Sequence, residues 1–170
     1  MTRAGTMVLL GLVGVALLAG TLEAQQDAPA SEGLTIKGFY LGMPKSEVRQ
    51  LYEQMKVAEI AQFITIESSE FRDLITLDRE FSSMGNKIEV QYTESGEATY
   101  FKFQYKTVGI LLDYGVSEAS DFVSKFREQY GIPEMAFENM GFVNAWNHTD
   151  PDAGYRLSID DGMNITLQRP

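Results

Sequence analysis

The chain of 170 residues carries 24 acidic against 14 basic side chains, a formal net charge of −10, with one histidine and no cysteine. Lysine and arginine form no cluster, which argues against a nucleic-acid backbone or an anionic membrane surface as partner. Without cysteine there is neither a disulfide framework nor a lipid-modified anchor, so stability has to come from a packed core.

In chain order, Arg3 and the apolar run "MVLLGLVGVALLAG", Met7 to Gly20, predict a signal peptide over residues 1–24, cleaved after Ala24. The run is short for a bilayer span and no second one follows, so no membrane span is expected after cleavage. The mature protein is expected to be periplasmic or secreted. Residues 25–33, opening on the small and polar "QQDAPASE", read as a disordered leader.

From Leu34, "LTIKGFYL" alternates like a strand, Gly42 and Pro44 break it, and Val48, Leu51, Tyr52 and Met55 then recur at the spacing of one helix face. Pro44 suits a first helical turn, where its missing N–H costs nothing. Val57 to Phe71 admits either a short helix or a strand. "DLITLD", "KIEVQYTE" and "ATYFKFQYK" follow as strands, the last two joined through Ser95-Gly96.

Sliding the chain by 71 residues aligns Gly38 with Gly109, Leu41 with Leu112, Ser46 with Ser117 and Glu47 with Glu118. The helix face then meets Ala119, Phe122, Val123 and Phe126 in the same phase. The second helix stops at "YGIP", where Gly131 fits a left-handed C-terminal position. "FVNAWN", "YRLSID" and "MNITLQ" follow, the last two joined through Asp161-Gly162. The expected fold is α+β: two tandem strand-helix-three-strand units, residues 34–106 and 107–170, with helices packed on one face of antiparallel sheet.

Alternation assigns the faces. Ile88, Val90, Tyr92, Thr99, Phe101, Phe103, Tyr105, Tyr155, Leu157, Ile159, Met163, Ile165 and Leu167 form the apolar one. The opposite face carries Glu89, Gln91, Tyr100, Lys102, Gln104, Arg156, Ser158, Asn164, Thr166 and Gln168, and a one-sided antiparallel sheet leaves such a face in water.

Few residues point to chemistry. His148, in "AWNHTDPDAGY", has Asp150 and Asp152 nearby, a combination able to serve as an acid/base pair or metal ligands. The surrounding Asn, Asp, Pro and Gly are equally the residues of a hairpin turn. "DPDAG" opens like a calcium loop, but the bidentate glutamate that closes such a loop is missing. No nucleophile elbow or phosphate loop occurs. Met43, Met55 and Met135 could line an adaptable ligand cavity or simply fill the core.

"TIKGFYLGMPKSEVRQLY" resembles the repeat signature of the small outer-membrane assembly lipoproteins of the SmpA/OmlA type and of β-lactamase inhibitor protein. The matching positions are Gly42, Met43, Pro44 and Val48, while the second copy reads "DYGVSEA" in their place. The resemblance implies tandem units that lay helices on antiparallel sheet, and members that bind other envelope or secreted proteins without catalysing a reaction.

The expected function is therefore an exported, non-catalytic module of the bacterial envelope that binds a protein as inhibitor or assembly factor. It uses no cofactor, metal or catalytic residue, and its partner surface comprises Gln91, Tyr100, Lys102, Gln104 and Arg156. The alternative is a hydrolase that uses carboxylates or His148 on an envelope or extracellular substrate.

Overall fold

The computed structural model describes residues 33–57, 63–78, 86–139 and 141–170. The expected signal peptide and all of the leader except Gly33 lie outside them. Helix α1 (Lys45–Val57) precedes strands β1 (Phe63–Ser68), β2 (Arg72–Asp78), β3 (Lys87–Tyr92) and β4 (Ala98–Phe103). Helices α2 (Tyr105–Leu112) and α3 (Ala119–Tyr130) precede β5 (Ala136–Asn139), β6 (Asn144–Asp150), β7 (Tyr155–Asp160) and β8 (Ile165–Gln168). All strands join one antiparallel sheet in the order β1-β2-β3-β4-β8-β7-β6-β5. Two up-and-down meanders thus meet back to back, β4 against β8, in an α+β fold.

The helix faces read from the sequence are the buried ones. Val48, Tyr52 and Met55 of α1 and Phe122, Val123 and Phe126 of α3 share one core with Ile88, Val90, Phe101, Phe103, Leu157, Ile159, Ile165 and Leu167 from the sheet. Phe39 sits among them, its ring 5.5 Å from that of Phe101 and 5.4 Å from that of Phe103. At the end of α3, Gly131 takes φ 64° and the Ile132 N–H donates to the Arg127 carbonyl at 3.0 Å, the cap expected from "YGIP".

Several elements differ from expectation. "LTIKGFYL" forms no strand: Lys37 and Gly38 both take positive φ, 51° and 89°, and Ile36 and Phe39 exchange backbone hydrogen bonds of 2.9 and 3.0 Å across them. This two-residue hairpin turn buries both flanking side chains, which alternation along an extended strand would have placed on opposite faces. A Cβ on Gly38 would stand 3.2 Å from both Leu51 methyls, so glycine serves the close approach of α1 as well as the turn. Gly109, its counterpart in the sequence echo, lies inside helix α2.

The stretch from Val57 to Phe71 holds β1, so four strands follow each helical segment instead of three. Thr99 leaves the apolar face because the pairing shifts there: Gln91 opposes Tyr100 but Tyr92 opposes Ala98, and Ala98 takes the buried position. Tyr105 begins α2 and is exposed. Met163 sits half-buried in the β7–β8 turn at φ 60°.

Burial also shapes the response to alkali. Seven of the eight tyrosines have phenols pushed upward, each first by burial. Tyr40 reaches about 12, helped by the Glu47 carboxylate that accepts its hydroxyl at 2.9 Å. Because the folded state favours the neutral phenol, this stabilisation is complete below the unfolded value of about 10 and is lost as pH rises through the folded values. Stability should therefore fall from about pH 10 upward, with most tyrosinate absorbance appearing together with unfolding. Full ionisation near pH 10 with the circular dichroism unchanged would contradict this packing.

Candidate functional site

The residues between the core positions face away from the helices. The register aligns Arg72, Gln91, Tyr100, Gln168, Arg156 and Thr149 in one row across six strands. Leu74, Glu89, Lys102, Thr166, Ser158 and Asn147 form the next. Three of the expected partner residues, Gln91, Tyr100 and Arg156, thus share a row, with Gln168 between the last two, and Lys102 lies in the neighbouring row. Gln104 stands apart, just past the end of β4, where its Oε1 accepts the Lys87 backbone N–H at 3.3 Å. That bond holds its side chain at the strand end, outside the two rows.

Charge is distributed unevenly over this face. Glu89 is occupied, accepting from Arg72 Nε at 2.9 Å and from Gln91 Nε2 at 3.3 Å. Lys102 and Arg156 form no ion pair among the described residues, and the central strands β4 and β8 carry no acidic side chain. Tyr100 is half-buried between them, hydrogen-bonded to the Thr166 side chain, and its phenol is pushed up by burial and then by Glu89. The middle of the face is consequently a strip of amides and hydroxyls with two unpaired cations, in a chain whose net charge is strongly negative.

The residues of the hydrolase alternative are not brought together. His148 lies opposite Leu157 on the helix-facing side, its ring 5.9 Å from that of Tyr155 and its Nε2 shielded without a hydrogen-bond partner. Asp150 Oδ1 instead accepts the backbone N–H groups of Asp152 at 3.1 Å and Ala153 at 2.9 Å, closing the β6–β7 turn. No group of three metal-ligating side chains converges among the described residues. Met43, Met55 and Met135 are all buried in the core.

Two features escaped the sequence reading. The first is Asp73, fully buried on the helix side of β2. It accepts hydrogen bonds from Tyr92 at 2.9 Å and Ser68 at 2.5 Å, and Lys45 Nζ lies 3.3 Å away and over the Tyr92 ring at 4.8 Å. The cluster ties the first turn of α1 to three strands. Its signal was available, since Asp73, Ile75 and Leu77 share one strand parity. The second is the β5–β6 hairpin, where Phe142 is 105% exposed, Phe137 57% exposed, and Phe137 packs on Trp146 at 5.1 Å. Aromatics embedded in the turn composition "ENMGFVN" were the only hint.

No protein-family model, curated protein or solved structure matches this chain.

Proposed function

We propose that this protein is an exported, non-catalytic binding module of the bacterial envelope whose open sheet face receives a protein partner. The observation that carries the reading is the strip around Tyr100 and Gln168, flanked by Lys102 and Arg156, which are unpaired among the described residues, on a surface the described helices leave bare. Tyrosine and arginine are the residue types over-represented in binding hot spots. Acidic or carbonyl-rich segments are the partner chemistry that two free cations and a field of side-chain amides accept best.

The tandem origin expected from the sequence belongs to the same proposal. Gly42 and Asp113, 71 residues apart, both take positive φ, 88° and 44°, just ahead of α1 and α3. The palindromic strand order and the matched buried faces of those helices agree with two related halves, each helical segment followed by a four-stranded meander. In this reading the resemblance to the assembly lipoproteins and to β-lactamase inhibitor protein concerns architecture, with a partner of this chain's own.

A photo-activatable residue at Lys102 tests the face, with one at Ser124, exposed on α3, as comparison. Irradiation in the native envelope should give a discrete adduct at Lys102 and none at Ser124. The same adduct from both sites, or from Ser124 alone, would remove the open face as the binding surface.

A further inference from the structure

We infer that β1 and the adjoining flank of α1 form a self-association surface, on which a second copy of this chain adds its own β1 antiparallel to the first. β1 ends the sheet order, so one edge of its backbone has no strand partner among the described residues. Its pairing with β2 runs through six consecutive residue pairs without a bulge, and "FITIES" contains no lysine or proline, the residues that commonly protect a free edge. Ile66, on the helix side, remains 38% exposed. β5, at the other edge, is shorter at four residues, which leaves less of a ladder to extend.

Beside the free edge an open groove of about 660 Å³ is lined by Arg49, Gln50, Glu53, Gln54, Ile66 and Ser68. A strand laid along β1 would send alternate side chains toward this groove. If the two-fold axis passes through Thr65, Ile64 faces Ile66 of the partner subunit twice on the helix side, and a one-residue slip would turn the apolar set to the wrong face. The same axis runs the two α1 helices antiparallel. Arg49, Glu53 and Lys56 follow one another at helical spacing on the exposed side of α1, alternating in sign, so antiparallel copies can set opposite charges together. That mixed row, together with the self-matching isoleucines, favours a second copy over an unrelated extended peptide.

Because the chain has no cysteine, single introduced cysteines report on this arrangement directly. In the protein purified in its native processed form, sedimentation across a concentration series should show the mass rising toward twice the monomer value. Ile66→Lys should hold it at the monomer with an unchanged thermal midpoint. Under mild oxidation Thr65→Cys should cross-link to a dimer much faster than Glu138→Cys on the other edge strand, since only paired residues reach disulfide distance. Should Ile66→Lys unfold, the cysteine pair still decides. A monomer at every concentration, or cross-linking of Glu138→Cys as fast as that of Thr65→Cys, overturns the inference. Neither outcome touches the open-face proposal, which uses the opposite side of the sheet.

Discussion

Replacing Asp73 by alanine is expected to lower folding stability by about 3 kcal/mol, near the bottom of the range for breaking a buried ion pair. The magnitude follows from what each neighbour would lose. The Tyr92 hydroxyl is buried and donates only to Asp73 among its described contacts, so it would be left unsatisfied at a cost of roughly 1–3 kcal/mol. Lys45 suffers less, because its ammonium also donates to the carbonyls of Ser69 at 2.5 Å and Glu70 at 3.3 Å and keeps some access to water. Arg49, at 4.0 Å and half exposed, adds little. Tyr92→Phe should cost only about 1 kcal/mol, since Asp73 retains Ser68 and Lys45. Urea unfolding of the two variants checks the order. Equal losses would mean that the hydroxyl, and not the carboxylate at its centre, organises the cluster.

The core was legible because periodicity reports burial directly: the α1 and α3 stripes and the inward residues of β3, β4, β7 and β8 are where their spacing put them. What periodicity cannot register is a local change of backbone. Ile36 and Phe39 look like members of an alternating strand until a turn at Lys37-Gly38 folds them together. Thr99 changed face through a bulge, which shifts parity without leaving any mark in residue type. "YKTVGILL" is a short apolar run of the kind that suits strand and helix alike, and it is helical here.

The candidate face was legible to the same extent, no further. Parity placed Gln91, Tyr100, Lys102 and Arg156 on the open side, but the six-residue row that aligns three of them depends on how β4 meets β8. That pairing joins the two halves of the chain, and no local pattern encodes it. Gln104 falls just past the end of β4 and outside the row, as alternation does not announce where a strand stops.

The second large effect is on binding. Tyr100→Thr combined with Arg156→Glu removes the aromatic anchor and reverses the charge beside it. Thr keeps the strand preference at Tyr100, and Arg156 is exposed, so the fold should persist. A loss of at least about 1.4 kcal/mol, the threshold range for one hot-spot residue, means roughly tenfold weaker binding. The decisive measurement is quantitative capture from the native envelope, comparing this double variant with the parent at matched folding. The proposal predicts that the protein enriched by the parent falls about tenfold or more with the variant. Equal recovery by the two would place the partner elsewhere on the molecule.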